Sequence, residues 1–424
     1  MKSKTLFIQT QTQTIPKNWE LVELQQISKI IDSLHVTPKY SSEGTPMVRS
    51  TNIKTGNLNL ENAFHVSEDV YKKFTKNHRP QKDDIVMSRV GTYFPNSFVN
   101  TDQPFCLGQN TVVIHPSIIS RFVYYALNSK LVQGQINELL VGSGGQKTIS
   151  LEDIRELLIL KSKDSNEIKQ IAKILYDLDA TIENLQNQNK ILEQISQAVF
   201  KSWFINFDGV TEFDDSEIGE IPKGWKVGKL EHLLELTKGV SYKSKELMHS
   251  HKALVTLKSI KVGGGYTERG LKSFDGKYNQ NQIVHENDIV IAQTTVTQNG
   301  DVIGKPAIIQ DSKEFDVLIA SLDLLIVRSK NNDVPKSYLY HLFMTDYFQN
   351  HIYGYTNGSV VLHLLKDGVP TFQFALPPKK ILEQYDKLVS IIIQKNHDNK
   401  NQIKTLMNIH DILLPKLMSG EIRV

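Results

Sequence analysis

The chain has 424 residues, 40% of them apolar and 22% charged, which is the composition of soluble globular protein and not of a disordered chain. That length exceeds one ordinary domain and suits two or more. A net charge of +3 permits nucleic-acid binding without demanding it. No apolar run reaches the roughly 18 residues of a membrane span, and the single cysteine, Cys106, excludes an intrachain disulfide and a cysteine-rich zinc site.

Read in chain order, the sequence divides into four blocks. The N-terminal stretch MKSKTLFIQTQTQT starts basic but lacks the apolar core of a signal peptide, so a cytoplasmic protein is expected. Residues 1–160 are mixed, with strand-like runs such as DIVMS (84–88) and TVVIHP (111–116) between Gly, Asn and Pro turns. Cys106 falls here and is expected to be a buried thiol. Residues 161–206 form a helical spacer. In it Ile171, Leu175, Leu178, Ile182, Leu185, Leu192 and Val199 follow the alternating three-and-four spacing of a heptad seam, interrupted by Asn189 and Ser196. Residues 207–375 are mixed again, with ENDIVIAQ (286–293) and DLLIVRS (323–329) as strand candidates. Residues 376–424 return to a helical pattern. Val389, Ile392, Ile403, Leu406 and Leu413 hold its seam, and Asn396, Asn399 and His410 interrupt it. Polar seam residues cost stability but fix register and partner.

The second half repeats the plan of the first. IPKNWELVEL (15–24) returns as IPKGWKVGKL (221–230), PMVRSTNIKTG (46–56) as ALVTLKSIKVG (253–263), and DDIVMSRVGT (83–92) as NDIVIAQTTV (287–296). The alignment loosens between these anchors, as expected for a shared scaffold carrying divergent loops. The expected fold class is therefore α+β. Two similar mixed domains are separated by two long helices that pair as an antiparallel coiled coil, the whole forming a pseudo-twofold internal repeat. Helices of about 40 residues at 1.5 Å per residue are rods of about 60 Å.

No catalytic signature holds. VGSGGQKTIS (141–150) has Val141 and Gln146 where a phosphate loop needs glycine, so its backbone cannot wrap phosphates. Gly263–Gly265 lack the strand-to-helix setting of a dinucleotide site. Leu376-Pro377-Pro378-Lys379 is not the Pro-Pro-aromatic motif of amino-methylating enzymes. The 13 histidines show no metal-ligand spacing. Asp83-Asp84 and Asp214-Asp215 read as solvated turn residues.

The positive signal is basic loops in both mixed blocks. The first carries Lys72, Lys73, Lys76, Arg79, Lys82 and Arg89, with Tyr71, Phe74, Tyr93 and Phe94 interleaved. The second carries Lys243, Lys245, Lys258, Lys261, Arg269, Lys272 and Lys277, with Tyr242, Tyr266 and Phe274 nearby. Lys and Arg contact phosphates and set affinity, whereas Arg and Gln also reach base edges. Arg89, Gln293 and Gln298, in the loops after the Asp-Ile-Val strands, are the candidates for base contacts.

In these features the whole chain resembles the specificity subunits of type I restriction-modification systems. The resemblance rests on the paired openings, on FKSWFINFDGV (200–210) closing the central helix, and on LLPKLMSGEIRV (413–424) closing the last one. It implies one target-recognition domain per half of a split double-stranded DNA sequence, with helices that also dock other subunits. The implied partners are two modification subunits and the restriction subunits, which would carry S-adenosylmethionine, ATP and Mg. It implies no cofactor and no catalysis on this chain. Set against it are a stand-alone sequence-specific DNA reader or repressor, a nuclease or methyltransferase with unseen motifs, and a coiled-coil adaptor without nucleic acid.

Overall fold

The computed structural model describes residues 15–424 except 92, 140–146, 296–300, 332 and 359–360. Two helices dominate, Ser165–Phe204 of 40 residues and Lys379–Ser419 of 41. Both continue where the heptad pattern continues, and the second runs through Pro415. The chain divides into two compact units, Met1–Gln186 with Lys400–Val424, and Asn187–Asn399. Each unit therefore holds one mixed block and one stretch of each helix.

In the first unit a five-stranded sheet runs in the order Ser28–Asp32, Thr111–Pro116, Ile85–Ser88, Asn96–Phe98, Gly56–Asn57. A four-stranded sheet runs Tyr40–Ser41, Phe64–Val66, Thr45–Val48, Cys106–Leu107. The opening strand Trp19–Glu23 pairs antiparallel with Leu158–Ser162. The strand IVMS is buried on both faces, which suits its consecutive apolar Ile85, Val86 and Met87. Ser120–Leu127 packs its aromatic face into a core with Ile85, Met87, Phe98 and Ile114. The helix stretches join the same core: Ile168, Ile171, Ala172 and Leu175 from the central helix, Leu413, Leu417 and Met418 from the last. The start of one helix thus meets the end of the other, which makes the pairing antiparallel.

In the second unit the plan recurs. Lys226–Lys229 pairs antiparallel with Gln373–Leu376. One four-stranded sheet runs Leu234–Lys238, Leu324–Ser329, Ile289–Ala292, Pro306–Ile308, and the other Leu271–Ser273, Lys252–Val255, Val317–Ala320, Ile283–Val284. The parallel pair Lys252–Val255 with Val317–Ala320 matches the parallel pair Thr45–Val48 with Cys106–Leu107. Ile289 lies opposite Val327 as Ile85 lies opposite Ile114, so the recurrence extends to register. Phe200 and Phe204 of the central helix pack with Leu382, Tyr385 and Val389 of the last, again end against start.

Ile171, Leu175, Leu185 and Val389 are buried, and Leu178, Ile182, Leu192, Ile392, Ile403, Leu406 and Leu413 are partly buried. The polar interruptions are used. In the second unit Asn399, fully buried, donates to Asn189 Oδ1 at 3.0 Å, and Asn396 donates to the Asn189 carbonyl at 3.2 Å. In the first, His410 lies 3.5 Å from Asp179, whose carboxylate accepts from Tyr125 at 2.7 Å. Among the described residues no helix is long and apolar enough to cross a membrane.

The family-like openings and endings are structural latches. Gly420 sits at φ +71° against Trp19 and Pro16, where a Cβ would lie 2.8 Å from the indole. Glu167, buried at the start of the central helix, accepts from Ser162, Asn18 and Arg423. The second opening meets the end of the central helix, with Trp225 packed edge-on to Phe207 at 5.5 Å and beside Phe204.

Candidate nucleic-acid interface

In the first unit the helix Glu68–Phe74 is short and amphipathic. Phe74, Val70 and Tyr71 pack on Met47, Val66 and Cys106, which leaves Lys72 and Lys73 exposed. Lys72 lies 3.5 Å from Glu68 on the open surface, a pair that leaves its charge available to a phosphate. Lys76, Arg79 and Lys82 follow on an exposed loop. Lys73 and Lys76 share the wall of a cavity of about 300 Å³ with Phe74, His78 and Pro80. Tyr93 is 72% exposed, an aromatic face open to solvent.

In the second unit Lys243 precedes a 3-10 turn that contains Lys245, Lys258 lies in another, and Lys272 lies on the strand Leu271–Ser273 with its ammonium 5.9 Å from the Tyr242 ring. Lys261 begins a tight turn in which its own carbonyl accepts from Gly264 and its amide donates to the Gly265 carbonyl. Gly263–Gly265 all have positive φ, so the triplet serves this turn. Lys243, Lys245, Lys258, Lys261, Arg269, Lys272 and Lys277 are exposed.

The expected base readers fare differently. Arg89 is not free. Its guanidinium donates to both Asp32 oxygens at 2.9 and 2.8 Å and to the Ile149 carbonyl, and its side chain is 18% exposed. Gln293 is an interior residue at 8% exposure; its amide donates to the Leu322 carbonyl, and its backbone bonds Asp323 and Leu364. The strand runs on to Ala292, and the Leu322–Asp323 turn closes over the residue that follows it. Gln298 lies outside the described residues. Phe94, Tyr266 and Phe274, read as loop aromatics, are core residues.

Two arginines that the sequence reading passed over are organised by aromatic rings. Arg49 sits 3.7 Å above the Phe64 ring and near Tyr40, and Arg121 sits 3.5 Å above Phe98 and 4.6 Å from Tyr176. Arg121 borders a cleft of about 1280 Å³ whose wall also includes Lys82, Asp83, Asp179 and Glu183. Mixed charge there does not offer the uniformly positive wall that a phosphate backbone favours.

Asp83-Asp84 is not a solvated pair. Asp83 is exposed at φ +72°, but Asp84 is fully buried and accepts from His78 Nε2 at 2.8 Å, His115 Nδ1 at 2.6 Å and the Gln81 amide at 2.9 Å. Its counterpart Asp288 is buried too, bonded to Arg328 at 2.7 Å and Lys336 at 3.2 Å. Burial pushes the Asp288 carboxyl up, but the bonds from Arg328, the His285 amide and Lys336 outweigh it and hold it below the usual carboxylate range. Cys106 is buried as expected, and desolvation pushes its thiol up to about 12, which leaves it inert.

The duplicated scaffold has a counterpart among known proteins. The profile of the type I restriction modification DNA specificity domain matches residues 16–194 and again 222–408, each match opening on the proline of an Ile-Pro-Lys sequence. The chain belongs to this family. Relatives of this specificity-domain protein include the type I restriction enzyme MjaIX specificity subunit of Methanocaldococcus jannaschii, 23% identical across 99% of this chain and 97% of that one. The HindI specificity subunit of Haemophilus influenzae is 25% identical across 81% and 87%. The crystal structure of a type I S subunit from M. genitalium shares the fold at a TM-score of 0.58, covering 96% of this chain and 97% of that one at 17% identity. The chain is thus a type I specificity subunit, the DNA-recognition component and not a catalytic one.

Proposed function

We propose that this specificity subunit reads a split double-stranded DNA target, one recognition domain per half-site, and scaffolds the subunits that act on it. The observation that carries the reading is the recurrence of one strand order and register in both units, each with its own exposed lysines and its own divergent loops. Two copies of one scaffold with different loops suit two different half-sites. The domains of the proposal are residues 1–160 and 207–375, with helical spacers at 161–206 and 376–424. Lys72, Lys73, Lys76 and Arg79 in the first domain, and Lys243, Lys245, Lys258, Lys261 and Lys272 in the second, hold the phosphates. That assignment agrees with their exposure. Arg89 and Gln293 drop out of the base-reading set, because Arg89 is paired with Asp32 and Gln293 is buried with its amide on the Leu322 carbonyl.

Two modification subunits and the restriction subunits dock on the helices, in the cytoplasm. S-adenosylmethionine, ATP and Mg belong to those partners. Support comes from the outer helix faces, where Ile191, Ile195 and Ile391 in the second unit and Met407 and Ile412 in the first are exposed apolar side chains with no seam role.

The test is methylation mapping of DNA from cells that hold this chain and its modification partner, against cells lacking this chain. Modified adenines at one split motif of fixed gap are expected. Exchange of residues 1–160 for another member's first domain should then change one half of the motif only. Alteration of both halves would defeat the one-domain-per-half reading, and DNA binding without any chain-dependent modification would favour a stand-alone reader.

A further inference from the structure

The buried aspartates Asp84 and Asp288 occupy the same place in the two copies of the scaffold. Each precedes the strand that pairs, through Ile85 or Ile289, with Ile114 or Val327. The next residue on the partner strand is His115 in one copy and Arg328 in the other, and both bond the aspartate. A second cationic side chain completes the second copy, Lys336 at 3.2 Å. A buried carboxylate demands such compensation. Among the described residues, the first copy has no arginine or lysine paired with its aspartate, only the two imidazoles of His78 and His115 on opposite oxygens.

From this juxtaposition we propose that His78, Asp84 and His115 form a binding site for a divalent transition metal of the zinc class, which supplies in the first copy the charge that Arg328 and Lys336 supply in the second. The ligand atoms His78 Nε2, His115 Nδ1 and an Asp84 oxygen all lie within 4.8 Å of one another. Two imidazoles and one carboxylate are a donor set that zinc accepts, with a fourth position left to water. That position has a way out, because the His115 side chain is 40% exposed while Asp84 is sealed beneath it. Tetrahedral coordination at about 2.0–2.1 Å requires neighbouring ligand atoms about 3.3 Å apart. His78 Nε2 now lies 2.8 Å from Asp84 Oδ2 and His115 Nδ1 2.6 Å from Oδ1, so with Oδ2 as the ligand oxygen the His78 separation must open by roughly half an ångström. His78 sits on a loop and can supply that movement. On binding, each imidazole gives up the proton on its ligating nitrogen, either to its other ring nitrogen or to solvent if it was doubly protonated. The metal would fasten the loop that carries Lys76, Arg79 and Lys82 to the strand Thr111–Pro116.

The test uses the full-length chain, stripped by chelator and dialysed against Zn²⁺ or Co²⁺. Expected are about one equivalent of bound metal, a rise in Tm with Zn²⁺, and the visible absorption of four-coordinate cobalt. His78→Gln should weaken binding roughly hundredfold or more. His115→Arg, which copies the residue of the second unit, should abolish the cobalt spectrum and still give a folded chain whose Tm no longer responds to zinc. Substoichiometric binding to the wild type would overturn the site. So would binding that survives both substitutions, since it would then belong to other histidines.

Discussion

Asn399 donates its side-chain amide to Asn189 Oδ1 at 3.0 Å, one asparagine from each long helix. Asn399 is fully buried and its own Oδ1 has no hydrogen-bond partner. Such a layer sacrifices stability to fix which residues of the seam face each other. Replacing both with leucine should therefore raise Tm by a few degrees, a gain of about 1–2 kcal/mol. The same change should loosen register, seen as broader unfolding or slower assembly with partner subunits. Thermal unfolding followed by circular dichroism decides it. A lower Tm for N189L/N399L would show that the layer contributes net stability.

Gly420 closes the first unit in a conformation that L side chains rarely adopt, and the indole of Trp19 occupies the space where a Cβ would go. Gly420→Ala should cost about 1–3 kcal/mol, from backbone strain and from displacing Trp19. Denaturant unfolding measures the loss. Gly219→Ala is a useful control, because that glycine also has positive φ but meets nothing within 4 Å. It should cost the strain alone. Equal losses at both sites would remove Trp19 from the explanation.

Much of this architecture was legible in the sequence, because repetition and period survive divergence. The sustained heptad spacing marks the two long helices, and the Asp-Ile-Val anchors mark equivalent strands. Contacts made by folding were not legible. His78 and His115 have no metal-like spacing, and only pairing of their strand and loop brings them to one carboxylate. Arg89 looks like a free loop arginine until Asp32, two strands away in the sheet, claims it. Gln293 looks exposed because it follows a strand, but the Leu322–Asp323 turn folds over it. Phe94 and Phe274 read as interleaved loop aromatics because chain position does not reveal burial.

Gln293→Ala tests the interior role of this side chain directly. Loss of its part-buried bond to the Leu322 carbonyl should destabilise the second unit by about 1 kcal/mol. The recognised sequence should not change. A changed methylation motif with unchanged stability would return Gln293 to the set of base readers.

Charge reversal separates the phosphate-binding lysines from ordinary surface charge. Lys72, Lys73 and Lys76 are exposed in the first unit, as are Lys258 and Lys261 in the second. Changing either group to glutamate should weaken DNA binding for all sequences alike. It should also flatten the dependence of log affinity on log salt by about 0.9 for each phosphate that is no longer neutralised. Tm should move little, since each side chain is on the surface. Fluorescence anisotropy over a salt series reads both quantities. Unaltered slopes would place the DNA path elsewhere, with Arg49 and Arg121 the next basic residues to reverse.

His341 sets an acid limit on the second unit. It is 3% exposed, stacked on Phe200 at 5.9 Å, bonded through Nδ1 to the Ser337 carbonyl, and 2.9 Å from the Tyr385 hydroxyl. Burial lowers its pKa from 6.5 to about 4, only partly opposed by the Ser337 carbonyl. Between those values the unfolded chain takes up a proton that the folded chain refuses. This contribution is therefore fully present above pH 6.5 and is lost as pH falls towards 4, by about 3 kcal/mol over the whole interval. His341→Phe keeps an aromatic ring beside Phe200 and has no proton to gain. Relative to the wild type, its Tm should fall less steeply over the same acid range. Parallel curves for the two proteins would mean that other groups control the acid sensitivity of this unit.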